Sequence, residues 1–176
     1  SSLIQAKIMG TATDFLTPPL SPLELLLGFG LGAATRGLLV GLATAICVWP
    51  FSRFGIEHLW AVAYFALIAS LLLGLMGVLA GVWSEKFDHL AAVQNFVVMP
   101  MTFLSGTFYA VDALPEPFAT ISHYNPFFYL IDGFRYGFIG QAEGVLAIGV
   151  ISSFVLTVIV GWAAYEAFRR GWRLKS

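Results

Sequence analysis

Polar and charged side chains that could do chemistry are concentrated between Phe103 and Tyr136, FLSGTFYAVDALPEPFATISHYNPFFYLIDGFRY. Asp112, Glu116, His123, Asp132 and Arg135 sit there among dense aromatics, with Pro115, Pro117 and Pro126. Hydrolysis would need a serine activated by a neighbouring histidine, and Ser105 with His123 is the pair on offer. The run Phe103-Leu104-Ser105-Gly106 lacks the small residue that precedes the nucleophile of intramembrane rhomboid proteases, which counts against it. A metal centre is no better served, since His58, His89 and His123 are scattered without ligand spacing. The stretch does offer an ion pair. Asn125 is a plausible N-cap and Pro126 a plausible first helical residue, so Asp132 and Arg135, three apart, would share a helix face. The remaining candidates are single polar groups inside apolar runs: Arg36, Gln94 and Asn95.

These residues belong to a chain that composition assigns to the membrane. It has 176 residues, 59% hydrophobic and only 11% charged, against about 25% charged in an average soluble domain. Mean hydropathy is +0.84. A net charge of −1 and the lack of a basic patch set nucleic acid aside. The single cysteine, Cys47, lies in an apolar run and reads as a small buried hydrophobe. No Gly-x-x-x-x-Gly-Lys-Ser/Thr loop exists, so no ATP site of that kind is expected in this chain.

The apolar runs predict an all-α transmembrane protein without β-sheet, its four spans at about 25–50, 59–83, 90–111 and 144–168. In the first, Arg36 lies roughly 16 Å along the helix from Leu25. It faces either a bundle interior or wet cavity, or snorkels to headgroups if the helix starts late. Gly28 with Gly32 and Gly37 with Gly41 offer faces for close helix packing, as do Gly74, Gly77 and Gly81 in the second span. The third span carries Gln94 and Asn95, suited to hydrogen bonds between helices, and Pro100, which should bend it. Residues 112–140 read as an outer re-entrant segment. A charge at mid-bilayer costs roughly 2.5–3.5 kcal/mol on insertion scales, too much for a span bearing so many. Broken backbone at membrane depth is tolerated only under cover of protein or beside water. Residues 1–22 form a loop broken by Gly10 and Pro18-Pro19.

Several separated elements then resemble one family. Leu104-Ser105-Gly106-Thr107-Phe108, Ala113-Leu114-Pro115, Asn125-Pro126, Tyr129-Leu130-Ile131-Asp132-Gly133 and Arg135-Tyr136 look like the C-terminal signature of ABC-2 type transporter permeases, the membrane subunits of ATP-driven exporters. The resemblance implies that Ser105, Gly106, Phe108, Leu114, Pro115, Asn125, Pro126, Tyr129, Asp132 and Arg135 belong to an outer gate or pathway. Gly10, Thr11, Asp14, Pro18, Pro19, Leu20, Ser21 and Glu24 resemble the coupling-helix loop that docks on the ATPase. It further implies a fragment lacking the family's first two spans, a homodimeric second permease copy, and cytoplasmic ABC ATPase subunits that bind ATP and Mg, with no cofactor on this chain. The expected cargo is a lipid-linked saccharide, lipo-oligosaccharide or drug-like amphiphile leaving the cytoplasm or inner leaflet.

Two other classes stay open on the residues alone, a secondary transporter and a non-transporting multi-span protein. The first usually shows internal repeats, and the halves of this sequence show none. Lys7, Lys86, Arg169, Arg170, Arg173 and Lys175 fall on the side of both termini and Arg53 and Arg135 on the other. By the positive-inside rule the termini are cytoplasmic and 112–140 faces outward, and the resemblance implies a bacterial inner membrane. The aromatics Phe108, Tyr109, Tyr124, Phe127, Phe128, Tyr129, Phe134 and Tyr136 suit either sugar stacking or an interfacial belt.

Overall fold

The computed structural model describes residues 21–51, 55–84, 87–105 and 124–170, and among these every regular element is helical. They are α1 (Pro22–Val48), α2 (Leu59–Trp83), α3 (Phe87–Val93), a π-helical turn (Gln94–Val98), α4 (Met99–Phe103), α5 (Pro126–Ile139) and α6 (Leu146–Arg169). The expected all-α transmembrane fold is what forms. Three helices, α1, α2 and α6, are long and apolar enough to cross a membrane. The expected third span appears as α3, the π turn and α4, a shorter interrupted run, and residues 106–111 lie outside the described residues.

Helix boundaries follow from local chemistry. The Ser21 hydroxyl accepts from the Glu24 N–H, and the Glu24 carboxylate accepts from the Ser21 N–H at 2.7 Å. With Pro22 at the first position, this capping box starts α1 three residues before the expected Leu25. At the far end Pro50 disfavours helix at the residue before it, and α1 stops at Val48. The interruption near Pro100 takes a specific form. The Met99 N–H reaches back five residues to the Gln94 carbonyl, so the helix widens by a π turn just before a residue with no N–H to give.

Helix α2 is the centre of the packing, with α1, α5 and α6 all against it. One cluster joins Val78 and Val82 of α2 to Ala164, Ala167 and Phe168 of α6, with Leu25, Leu26 and Phe29 of α1 packed on it. The Phe29 and Phe168 rings stack at 6.3 Å. At the other end Ala61, Phe65, Ile68 and Leu72 gather around Leu130 of α5. Within this apolar environment the Tyr64 hydroxyl donates to the Val150 carbonyl at 2.8 Å and lies 3.4 Å from the Ser153 hydroxyl. That tie satisfies a buried polar group and fixes the register of α2 against α6.

The close glycine contacts differ from the expected set. A methyl at Gly37 would meet the Ser70 side chain at 2.7 Å, and one at Gly74 would meet Ala33 at 2.6 Å, so α1 and α2 approach there. Gly28, Gly32, Gly41 and Gly77 face open space, because only one side of each helix is turned to the other. The tightest contacts lie on α5. A methyl at Gly133 would overlap the Phe65 ring, and one at Gly137 would meet Val62 Cγ2 at 2.5 Å.

Overpacking a tight contact typically costs about 1–3 kcal/mol. Gly133→Ala should therefore lower the thermal midpoint in detergent. Gly41→Ala, which fills open space, should leave it unchanged or raise it, by up to about 1 kcal/mol of helix propensity. Equal midpoints for the two variants would show that α5 is not seated on α2 as described.

Candidate functional site

The candidate site is the end of the bundle built by α5. Glu57 lies beside Gly140, His58 and Val62 beside Gly137, and Phe65 beside Gly133. Helix α5 thus runs antiparallel to α2, starting deep and rising to the end of the bundle. Its 14 residues span roughly 21 Å, short of a bilayer core of about 30 Å. A helix of that length does not cross a bilayer.

The deep end of α5 is held by Asn125, which is 7% exposed. Its Oδ1 accepts the Phe127 N–H at 3.0 Å, and its Nδ2 donates to the Met101 carbonyl at 2.6 Å. One side chain caps α5 and also satisfies a carbonyl in the last turn of α4, where helix termini leave backbone groups orphaned. Ser105 is buried beside this join, its hydroxyl donating to the Thr102 carbonyl. That bond makes it a local cap, and His123, the histidine weighed and disfavoured as its partner, lies outside the described residues.

At the other end, the Gly137 carbonyl accepts the Glu57 and His58 N–H groups at 3.0 and 2.9 Å. Gly140 closes α5 in the left-handed region, at φ 73°. The His58 and Tyr136 rings stack over this corner at 4.6 Å.

Asp132 and Arg135 do meet. Arg135 Nη2 lies 3.1 Å from Asp132 Oδ1 and 2.8 Å from Glu143 Oε1. Asp132 is 3% exposed, and its carboxylate also accepts the Glu143 and Gly144 N–H groups, both at 2.9 Å. It therefore ties the middle of α5 to the turn that begins α6. Burial pulls the Arg135 guanidinium down, but the hydrogen bonds and charges of Asp132 and Glu143 outweigh it and hold its pKa above the ordinary arginine value.

Several expected residues take other places. Arg36 is exposed on α1 and lines an open groove of about 830 Å³ between α1 and α2, beside Gly32, Ser70 and Gly74. Gln94 and Asn95 lie in the π turn with exposed side chains, not between described helices. The aromatics split. Phe127 and Phe128 are buried in the core and serve neither a belt nor a sugar, while Tyr124 is exposed and Tyr129 wedges against Gly149 of α6. Ser21 and Glu24, expected on the coupling loop, form the α1 capping box. Gly10, Thr11, Asp14, Pro18, Pro19 and Leu20 lie outside the described residues, as do Gly106, Phe108, Leu114 and Pro115.

Sequence reasoning missed Glu143 and the two backbone N–H groups on Asp132, which are distant in sequence. It also missed Gly133-x-x-x-Gly137 as a docking face, although that spacing was visible.

The geometry is that of an α-helical membrane bundle with a short helix held at both ends, and comparison with known proteins assigns it a class. The family model for ABC-2 type transporters matches residues 1–139. The chain is 35% identical over 181 aligned positions to proteins named inner membrane transport permease YadH in Escherichia coli K12 and in Shigella flexneri, covering all of this chain and 69% of each relative. It is 31% identical over 130 positions to nodulation protein J of Rhizobium leguminosarum bv. viciae, covering 70% of this chain and 49% of that one. No solved structure matches. The chain belongs to the ABC-2 type transporter family. It is a multi-pass transporter subunit of a bacterial inner membrane.

Removing one partner of a buried ion pair typically costs about 3–5 kcal/mol. Asp132→Ala should fall in that range, Arg135→Ala should cost less because its side chain is 30% exposed, and the double variant should cost less than the sum. Asp132→Asn should be nearly as damaging as Asp132→Ala. An amide turns a donor toward one of two backbone donors that the carboxylate satisfies. Thermal unfolding in detergent measures all four variants, and strict additivity would show the two charges to be independent.

Proposed function

We propose that this chain is the permease subunit of an ATP-driven exporter, moving a lipid-linked saccharide, lipo-oligosaccharide or drug-like amphiphile out of the cytoplasm or inner leaflet. The observation that carries the reading is α5. A short helix, held at its deep end by Asn125, at its middle by Asp132 and at its other end by the Gly137 carbonyl, is built to close one end of a pathway. Family membership supplies the energy source by implication: two permease copies working with two cytoplasmic ABC ATPases, which bind the nucleotide and Mg.

In this mechanism ATP shifts the balance of states only because it binds the closed ATPase pair better than the open one. The loop carrying Gly10, Thr11, Asp14, Pro18, Pro19 and Leu20 receives that motion. Ser21 and Glu24 pass it on, since their capping box joins the loop rigidly to the start of α1. Helix α1 then bears on α2 and α6, and α5 sits at the far end of α2 with the outer gate residues Tyr129, Asp132 and Arg135. Both termini are cytoplasmic in this reading, which follows from the lysine and arginine bias.

With the ATPase that co-purifies, the chain should stimulate ATP hydrolysis on reconstitution. The Asp14→Ala, Pro18→Ala, Pro19→Ala triple variant should lose most of that stimulation while keeping its thermal midpoint. Full stimulation by the triple variant would remove the coupling role from this loop, and export driven by an ion gradient without nucleotide would overturn the reading as a whole.

Orientation has its own measurement. In a Cys47→Ala background, Gln141→Cys should react with an impermeant maleimide on intact cells, and Asp88→Cys only after permeabilisation. Both positions are exposed in the fold, so the opposite labelling pattern would invert the topology.

A further inference from the structure

A second concavity lies at the opposite end of the bundle from α5, where α2 finishes and α6 finishes. It is a slot of about 370 Å³ whose walls include Leu79, Trp83, Trp162, Ala163, Glu166 and Arg170. Its volume falls at the lower end of the range for small-ligand clefts, about 300–1,000 Å³. The lining changes character along its length. Apolar side chains form the body, the two tryptophans flank it at 55% and 67% exposure, and charge is confined to the mouth.

The mouth is organised around one carboxylate. Glu166 Oε1 accepts from Arg170 Nε at 2.7 Å, and Glu166 Oε2 lies 3.6 Å from Arg169 Nη1. Two guanidiniums share one acid, so the formal charge left at the mouth is +1. Both arginine side chains are about two-thirds exposed and stay within reach of an outside anion. The sequence adds Arg173 and Lys175 and places no acid after Glu166. An apolar slot in the wall of two membrane spans, with an excess of cation at its membrane-interface end, matches an amphiphile with an acidic head. Basic clusters immediately beyond a span attract anionic lipid, and tryptophans settle at headgroup level.

We propose that the slot between the ends of α2 and α6 binds one acyl chain of an anionic phospholipid, whose phosphate is held at the mouth by Arg169 and Arg170. Glu166 has a positioning role: by sharing its carboxylate it keeps both guanidiniums at the mouth. The site rests on the membrane-spanning character of α2 and α6 and is independent of the cargo exported and of the orientation of the termini.

Tryptophan emission tests the site directly. Trp49→Phe, Trp60→Phe and Trp172→Phe leave Trp83 and Trp162 as the only emitters. The full chain is reconstituted in phosphatidylcholine vesicles containing a minor fraction of brominated phosphatidylglycerol or, in parallel, the same fraction of brominated phosphatidylcholine. Brominated phosphatidylglycerol should quench as if enriched about fivefold over its bulk share, the ratio for one net basic charge near the lipid surface. Added salt should lower the preference. Arg169→Gln with Arg170→Gln leaves Glu166 alone at the mouth and should abolish the preference or turn it against brominated phosphatidylglycerol, whereas Arg169→Lys with Arg170→Lys should keep most of it. Ala163→Leu, which fills the slot without touching the charges, should reduce quenching by brominated phosphatidylglycerol. Equal quenching by the two lipids in the parent protein would overturn the proposal. So would a preference that survives the double glutamine variant, or weak quenching by both lipids, which would mean that protein covers the slot.

Discussion

A short helix packed inside a protein bundle brings its unsatisfied backbone groups to places that water does not reach. Each such group left unpaired in an apolar medium costs several kcal/mol, so α5 exists only because protein answers both of its ends. Asn125 does this at the deep end with two bonds in opposite senses, accepting from α5 and donating to α4. At the other end the Gly137 carbonyl takes two N–H groups from the approach to α2. Asp132 does the same for the approach to α6. These bonds bring the end of α4 to one end of α5 and the starts of α2 and α6 to the rest of it, and the rest of the bundle has to be compatible with those meetings.

Compatibility explains the glycines. For the Gly137 carbonyl to lie within 3.0 Å of the Glu57 and His58 nitrogens, the α5 backbone must come closer to α2 than any side chain allows. Gly133 and Gly137 remove the side chains on that face, and Phe65 fills the space released by the first. The same aromatic ring is fully buried in the cluster with Leu130. Packing and polar satisfaction therefore share residues at this end and should fail together. Helix α5 is fastened to α2 and α6 by backbone bonds and an ion pair, and the Asn125–Met101 bond ties it to α4.

Much of this was legible in the sequence, for identifiable reasons. Apolar length gave α1, α2 and α6, because a bilayer imposes a minimum span that composition must meet. Asn125-Pro126 gave the start of α5 and the spacing of Asp132 and Arg135 gave their pairing, because caps and helical faces are local rules. What stayed hidden is non-local. Nothing near Asp132 indicates that residues 143 and 144 fold back onto it. Hydrophobicity did not separate Phe127 and Phe128, which are buried, from the exposed Tyr124, because both kinds suit a membrane boundary. Pro100 signalled a bend, but its form as a π turn depended on which carbonyl the Met99 N–H would find.

Arg135 and Arg36 show how context sets the cost of a charge. Arg135 is half-buried yet well supplied, with carboxylates at 3.1 and 2.8 Å on a short helix near the end of the bundle. Arg36 stands near the middle of α1, a helix whose 27 residues span roughly 40 Å, and among the described residues it has no ion-pair partner. Left in hydrocarbon, such a group costs roughly 2.5–3.5 kcal/mol on insertion scales, a large share of the stability of a typical domain. Its groove is lined by glycines and Ser70, which leave room around the guanidinium but bring no counter-charge. Any surface that closes over the α1–α2 groove must therefore bring acceptors to Arg36 or keep water beside it. A purely apolar helix packed there would turn a tolerable charge into a destabilising one.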